Sequence, residues 1–467
     1  MRRTYPWQRR LRATAVAVLA VIALIAFAFY ANYAWHQGGI EAQMAELRAA
    51  GQPVTVEEVA EVYEAPRGTV PVMETRNAAD VYLRAFKAER AAVAANPKLD
   101  IRLVEEQNAL LSGTADEALW AKLAAYLASR EDVLALLHEG ARIENCRFPL
   151  NVEDGFALDL SHLAQVRQGV RLLRWEAVWA AHEGDPERAG RALLAALNLA
   201  AATAEEPILV SQLVHIAAHE IAAEALKNVV NHTALTDAHL EQLAARLAAA
   251  AGSSTMATGL MGERAFGLQG YENPDTLLDA GARLPVDDVV PGGTRVLISG
   301  AALFGVWQRD EAHYLECMTE LVEASRMPFP EALDAADAIE EHIEASLGVL
   351  PMPSGMLLPA FGRTLEAQAR FLAKVRVAQC AVAAERYRRQ HGAPPQSLAE
   401  LTPTYLPHTP TDPWDGEPIR YELSAGGANI YSVGPDRTDN GGMAYAPNHR
   451  YGEDGDQTFA LTWETAQ

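Results

Sequence analysis

Residues 13–35 form an uninterrupted segment without a charged side chain, and residues 15–30 within it are wholly hydrophobic. A helix of about 20 apolar residues crosses the hydrocarbon core of a bilayer, so the segment predicts a transmembrane anchor. Five arginines lie within residues 1–12, and the next arginine or lysine is Arg48. The positive-inside rule therefore predicts a cytoplasmic stub over residues 1–12 and a body on the far side of the membrane.

A cleaved signal peptide is the alternative to an anchor. Ala26, Phe27 and Ala28 form a triplet of the kind that signal peptidases cleave. The apolar run is longer than the central region of a usual signal peptide, which favours the anchor. Both interpretations export the body.

The remaining sequence has the composition of a helix-rich globular protein with a strong negative charge. The chain has 467 residues, of which 49% are hydrophobic, and its formal net charge is −22. This length predicts two or three domains, and the long alanine-rich runs favour helices. Because an acidic surface repels phosphate backbones, we expect no nucleic acid partner.

Helical periodicity dominates residues 36–363, which we interpret as an extracytoplasmic α-helical body. Gly184, Asp185 and Pro186 predict a tight turn between two helices, with Asp185 as N-cap and Pro186 at the first helical position. The surrounding residues 179–200 are similar to one tetratricopeptide hairpin. No second copy follows at the expected period of about 34 residues, so no repeat array is predicted.

Two segments of the body lack helical periodicity. Residues 142–159 contain Pro149 and Gly155, and a polar loop of this kind either shapes a binding site or simply connects two helices. We favour the connector, because no chemical motif converges there. Residues 252–297 are rich in Gly, Pro and Asp, which is typical of a long excursion or a domain joint.

One histidine pair has the spacing of metal ligands. His215 and His219 lie four residues apart on a predicted helix, so both imidazoles share one face, as zinc requires. Glu220 follows directly, and this order differs from the HExxH metalloprotease motif. His313 and His342 are candidates for a third ligand on residue type alone. We favour packed structural histidines, with a zinc site as the alternative.

The sequence contains no established catalytic motif. It has no GxSxG nucleophile elbow, no P-loop and no GxGxxG fingerprint. Cys146, Cys317 and Cys380 form no CxxC pair, and we interpret them mainly as small buried hydrophobic residues. The alternative, for an exported body, is one disulfide between two of the three cysteines.

Residues 364–467 differ in character from the body. Apolar residues spaced by three and four predict a helix over residues 364–391, and Gly392 is expected to end it. Three candidate strands follow, at residues 419–423, 429–433 and 458–463. The tail is therefore predicted to be a small α+β module.

The order of motifs in this tail carries a resemblance. It contains AERYRRQHGAPPQSLAEL, then YLPHTPTDPWDGEPIRYEL, then IYSVGPDRTDNGG. This order resembles the C-terminal half of the major pseudopilins of type II secretion and covers residues 365–460. Pseudopilins open their apolar helix with a processing site that ends in glutamate, whereas this apolar run opens Arg12-Ala13-Thr14-Ala15. The resemblance is therefore confined to the tail.

The whole chain is also similar to a family of membrane-anchored bacterial proteins without an established function. These proteins join a helical region containing CRFPL and GDPxxA…LLAAL to the same tail. The resemblance implies a single-pass protein of the bacterial inner membrane, with its body on the periplasmic side.

The pseudopilin resemblance further implies a calcium site. In that family the terminal loop binds calcium through aspartates and backbone carbonyls, and Asp436 and Asp456 match the family's loop aspartates. Asp439 and Asp454 are additional oxygen donors nearby. Calcium takes six to eight oxygen ligands, which this loop is able to supply. Because the loop lacks EF-hand spacing, a solvated acidic loop is the alternative.

These features predict a mainly α protein with a transmembrane helix, a helical body and a small α+β tail. The expected function is a non-enzymatic envelope scaffold or interaction protein with protein partners that the sequence does not identify. The alternatives are a metal-dependent hydrolase centred on His215 and His219, and an atypical pseudopilin-like secretion component.

Overall fold

The structure is a computed structural model that describes most of the chain. The described residues are 6–65, 76–97, 99, 104–252, 255–273, 306–346, 353–358, 361–443 and 455–463.

Within these ranges the chain is mostly helical, with one small sheet. The helices, numbered in chain order, are α1 (Pro6–Ala49), α2 (Val56–Glu64), α3 (Ala78–Ala95), α4 (Val104–Leu111), α5 (Glu117–Ala128), α6 (Glu131–Gly140), α7 (Ser161–His182), α8 (Pro186–Ala200), α9 (Leu209–His232), α10 (Asp237–Gly252), α11 (Thr255–Glu272), α12 (Val306–Ala324), α13 (Glu331–Ser346), α14 (Pro353–Leu357) and α15 (Thr364–His391). The strands are β1 (Arg420–Ser424), β2 (Gly427–Ser432) and β3 (Gln457–Thr462).

Helix α1 is long and apolar enough to cross a membrane, as the sequence predicts. Its apolar side chains, including Leu24 and Phe27, are exposed along this part of the helix. Further along the same helix, Ile40 and Leu47 are buried in the core of the body. The helix therefore continues without interruption from the exposed apolar segment into the packed protein.

Helix α7 lies at the centre of the body and packs against α5, α8 and α9. Leu172, Leu173 and Trp175 of α7 are buried. One apolar core extends from Ile40 in α1 to Leu461 in β3. It therefore joins the helical body to the C-terminal module across the predicted boundary between residues 363 and 364.

The turn between α7 and α8 forms as the local sequence predicts. Gly184 has a φ of 69°, a conformation that glycine adopts without steric cost. The Asp185 carboxylate accepts a hydrogen bond from the backbone N–H of Arg188 at 2.9 Å, and Pro186 is the first residue of α8. The helical hairpin is thus present, and its tetratricopeptide likeness stays a prediction.

The expected excursion over residues 252–297 is wrong for its first part, since residues 255–272 form α11. The glycines of this segment, which predicted a loop, instead allow α11 to pack closely against neighbouring parts of the chain. A Cβ atom on Gly262 would lie 1.7 Å from the carbonyl oxygen of Pro207, and one on Gly267 would lie 2.2 Å from the Tyr314 ring. Residues 274–297 lie outside the described residues.

The C-terminal module contains the predicted helix and hairpin. Helix α15 ends at His391, and the Gly392 that caps it has a φ of 74° and donates its N–H to the carbonyl of Arg388. The strands form an antiparallel sheet in the order β1-β2-β3, with Tyr421 opposite Ile430. Ile430 in turn lies opposite Phe459 in β3.

Side chains of α9 hold the sheet against the body. The ammonium group of Lys227 donates to the carbonyl of Thr458 at 3.1 Å. The Asn231 amide donates to the carbonyl of Ala460 at 2.9 Å and accepts from the N–H of Thr462 at 2.7 Å. The free edge of β3 is therefore capped by polar groups of the helix that also carries His215 and His219.

Candidate functional site

The predicted histidine pair lies inside the body. His215 and His219 are 1% and 3% exposed, because α9 is buried on most of its circumference. Nδ1 of His219 donates to the carbonyl of His215 at 2.9 Å, and the ring centroids are 4.3 Å apart. Phe371 of α15 meets both rings edge-on, with centroids 5.6 and 5.4 Å away. The pair is thus packed against an aromatic ring.

Burial keeps both imidazoles neutral. It lowers the pKa of His219 to about 4, and it lowers the pKa of His215 well below the ordinary value, with His219 as a secondary cause. A neutral imidazole is the form that binds metals. Across the described ranges, however, no third histidine, cysteine or carboxylate completes a metal-binding group with this pair.

The neighbouring Glu220 is engaged elsewhere. Its Oε1 accepts from the ammonium group of Lys374 at 2.8 Å. Successive residues of a helix point in different directions, so Glu220 does not join the two imidazoles. The geometry therefore favours the packed structural interpretation of the pair, and a zinc hydrolase stays a prediction without a third ligand.

A cleft of about 930 Å³ opens beside the histidine pair. Segment 141–147 forms one wall, and residues of α8, α9 and α10 form the others. The irregular segment that we interpret from sequence as a connector therefore borders a cavity. The polar side chains of the lining are Asn77, His138, Arg142, Glu144, Asn145, Arg147, Arg191, Asn198, Glu205, His215, His219, Gln242 and Arg246.

The lining is basic in a protein that is otherwise acidic. Four arginines face two glutamates there, whereas the formal charge of the chain is −22. Arg142, Arg191 and Arg246 are exposed, and Arg147 is half-buried. The Arg147 guanidinium lies 5.3 Å from the centroid of the Tyr63 ring and donates to the carbonyl of Ala65 at 3.1 Å. The cleft therefore offers a local positive potential to a ligand.

The cleft does not offer an activated nucleophile among its described lining residues. Burial, together with the smaller effects of the nearby Glu206 and Asp80 charges, raises the pKa of the Cys146 thiol to about 12. A thiol in this state is protonated near pH 7 and is a poor nucleophile. Nε2 of His138 pairs with Glu176 at 2.7 Å, and the same carboxylate accepts from Arg188 at 2.9 Å. The side chains that line the cleft suit the binding of a ligand better than covalent catalysis.

All three cysteines are free thiols. Cys317 and Cys380 are buried, as the sequence predicts, and Cys146 is half-buried in the wall of the cleft.

Three of the four predicted calcium ligands lie in the described part of the C-terminal loop, and Asp454 lies outside it. Asp456 is 1% exposed and accepts from the N–H groups of Asn440 and Gly442 at 3.4 and 2.7 Å. Asp436 accepts from the N–H of Thr438 at 3.1 Å. The backbone of the loop thus folds around its own carboxylates.

These carboxylates are close enough to repel one another. Burial raises the pKa of Asp456, backbone donors oppose that shift, and the charges of Asp439 and Asp436 add to it. Nε of Arg420 lies 3.8 Å from Oδ2 of Asp439. Oxygen donors with mutual repulsion suit calcium chemically. The described carboxylates of the loop do not, however, bring three ligand oxygens within 4.8 Å of one another, and calcium stays a prediction.

The two remaining candidate histidines meet each other rather than the pair on α9. The rings of His313 on α12 and His342 on α13 have centroids 5.4 Å apart and an interplanar angle of 69°.

Sequence reasoning missed the arginine-lined cleft. Its four arginines are scattered between positions 142 and 246, so no contiguous basic motif reveals them. Comparisons with protein-family models, with curated proteins and with solved structures found no match to this chain.

Proposed function

We propose that this chain is a membrane-anchored, non-enzymatic interaction protein whose helical body holds an acidic segment of a protein partner in the arginine-lined cleft. The observation that carries the proposal is the cleft itself, which joins a volume of about 930 Å³ to four arginines. The anchor is α1, with its N-terminus in the cytoplasm and the body on the periplasmic side of a bacterial inner membrane.

Charge complementarity supports an acidic partner segment. A guanidinium group binds a carboxylate through two parallel hydrogen bonds, which gives geometry as well as affinity. Arg142, Arg191 and Arg246 are exposed at the cleft and able to reorient toward such groups. The remaining acidic surface repels the same segment, so binding is directed to this cleft.

The volume also fits a segment of several residues. Pockets for small ligands span roughly 300–1,000 Å³, so this cleft lies at the upper end of that range. Its floor is apolar, with Leu194, Ala195 and Leu197 of α8. An acidic segment with one or two apolar side chains would therefore bury those side chains and leave its carboxylates to the arginines.

The C-terminal module is proposed as a second, separate docking surface. The support is its resemblance to pseudopilin tails, which implies a role near a secretion apparatus. The module is packed on α9 and α10 through α15, so a partner bound there would be held at a fixed position relative to the cleft.

Site-specific photo-crosslinking in cells tests the cleft. A photoreactive amino acid at Gln242, an exposed lining residue, is expected to trap a discrete partner in the full-length chain. The double charge reversal Arg142→Glu/Arg246→Glu is expected to abolish that product. A matched control is Arg90→Glu, an exposed arginine on α3 that does not line the cleft.

Three outcomes decide the proposal. Loss of the product only in the double reversal, with an acidic segment mapped in the trapped partner, supports it. A product that survives the double reversal, or no product at Gln242, contradicts the proposed cleft. A small anionic metabolite that co-purifies with the chain and is lost in the double reversal would replace the protein partner by a small ligand.

A further inference from the structure

Two neighbouring helices bring together four side chains that carry metal-binding atoms. His313, Cys317 and Glu320 are spaced by four and three residues, so they share one face of α12. His342 approaches them from α13. The ligand atoms of Cys317, Glu320 and His342 all lie within 4.8 Å of one another.

Two pairs of these ligand atoms have the separations of a tetrahedral metal site. Sγ of Cys317 lies 3.6 Å from Nδ1 and 3.7 Å from Nε2 of His313. Nδ1 of His342 lies 3.7 Å from Oε2 of Glu320. Zinc binds nitrogen and sulfur at about 2.0–2.3 Å, which places the ligand atoms of a tetrahedron roughly 3.3–3.8 Å apart. Cys317, Glu320 and His342 would therefore close around one ion, and His313, beside the Cys317 sulfur, would turn toward it as the fourth ligand.

We propose that His313, Cys317, Glu320 and His342 bind a zinc ion between α12 and α13. One thiolate, two imidazoles and one carboxylate are the ligand types that zinc uses in proteins. Calcium and magnesium prefer oxygen ligands alone, so this set selects a transition metal. Binding replaces the thiol proton of Cys317 by the metal, and that proton is released to solvent.

The burial of the four groups suits a structural metal with an entry path. Cys317 is fully buried, whereas the side chains of His342 and Glu320 are 43% and 40% exposed. An ion therefore reaches the site past the exposed His342 and Glu320, and the buried Cys317 sulfur binds it from the interior. Because His342 is the contribution of α13, the ion fastens that helix to α12.

A metal-free explanation exists for the same contacts. A Cys317 thiol that donates to His313, beside a solvent-exposed His342–Glu320 pair, would produce similar distances. The two explanations differ in metal content and in the response to single substitutions, so an experiment separates them.

The test uses the full-length chain in detergent, stripped of metal with a chelator and then equilibrated with zinc chloride. We expect one tightly bound zinc per chain by elemental analysis, and a melting temperature that rises with zinc. The cobalt-loaded chain should show the near-ultraviolet absorption of a thiolate ligand. Cys317→Ser should abolish this absorption, and His342→Ala should weaken zinc binding at least about tenfold.

Two controls make the result specific. Cys380→Ser changes another fully buried thiol, on α15, and should leave the cobalt absorption unchanged. His215→Gln changes the other histidine pair and should leave the zinc stoichiometry unchanged. His342 is half-exposed, so its replacement should preserve the fold, which circular dichroism verifies. Substoichiometric zinc in the wild type, or zinc binding that survives both Cys317→Ser and His342→Ala, overturns the proposal.

Discussion

Nη1 of Arg420 donates to Oδ2 of Asp412 at 2.9 Å, and Asp412 is fully buried. The same carboxylate accepts from the N–H of Val433 and from the hydroxyl of Ser432, each at 2.9 Å. It also accepts from the N–H of Trp414 at 3.1 Å. One side chain thus joins the turn before β1 to the end of β2.

Removal of this carboxylate should destabilise the C-terminal module strongly. Asp412→Ala removes one of the two carboxylate partners of Arg420 and leaves two backbone N–H groups and the Ser432 hydroxyl without their acceptor. Each buried donor left unsatisfied costs about 1–3 kcal/mol. Urea unfolding of the full-length chain, followed by tryptophan fluorescence, should show the loss. Asp415→Ala is the matched control, because Asp415 also pairs with Arg420 but is 22% exposed. Equal losses in both variants would refute the central role of Asp412.

The buried His219 should make stability depend on pH. Its pKa is about 4 in the folded chain, against about 6.5 for an unfolded histidine, so its contribution is complete above pH 6.5. That contribution is lost as the pH falls from 6.5 toward 4, by roughly 3 kcal/mol in total. His219→Gln should reduce the difference between the unfolding free energies at pH 7 and pH 4.5.

The control for this experiment is His408→Gln, since His408 is exposed in the C-terminal module. This variant should retain the full pH dependence of the wild type. If His219→Gln and His408→Gln gave the same pH profile, burial of His219 would not be the source of the dependence.

Alanine substitutions of a closely packed glycine in α11 and of an exposed glycine in α1 should differ in their effect on stability. Gly262→Ala places a methyl group against the carbonyl of Pro207 and should destabilise the chain by about 1–3 kcal/mol. Gly38→Ala meets nothing within 4 Å and lies inside α1, so it should be neutral or stabilise by up to about 1 kcal/mol. Thermal unfolding of both variants provides the comparison, and a neutral Gly262→Ala would show that α11 packs more loosely than the structure indicates.

The predicted calcium site has its own test. The metal-stripped full-length chain should bind calcium by isothermal titration, and Asp436→Asn should weaken that binding at least about tenfold. Asp237→Asn is the control, because Asp237 is an exposed acid at the start of α10. A wild-type chain that takes up no calcium would favour the solvated acidic loop.

Local sequence signals account for much of the fold and for little of the candidate site. Turn and cap residues act through their own backbone conformation or through a neighbour three or four residues away, so the local sequence predicts them. Examples are Gly184, Asp185 and Gly392. The cleft depends on Arg142 and Arg246, which only tertiary packing brings to one cavity. At α11 the local sequence wrongly predicts a loop. Gly262 is there because the helix packs closely against Pro207, which is distant in sequence.

The contact between His313 and Cys317 can be predicted from sequence, because the two residues lie four positions apart on one helix. The approach of His342 depends on how α13 packs on α12, which no local pattern encodes.

Helix α1 makes a short and stiff connection between its exposed apolar segment and the packed body. Trp35 is 81% exposed and Ile40 is buried, and five helical residues span roughly 8 Å. Gly38 and Gly39 lie between them and are part of the continuous helix. In the proposed anchored arrangement the body has no slack, so it cannot reach out for a distant partner. The tilt of that one helix in the lipid would then set the orientation of the whole cleft relative to the membrane.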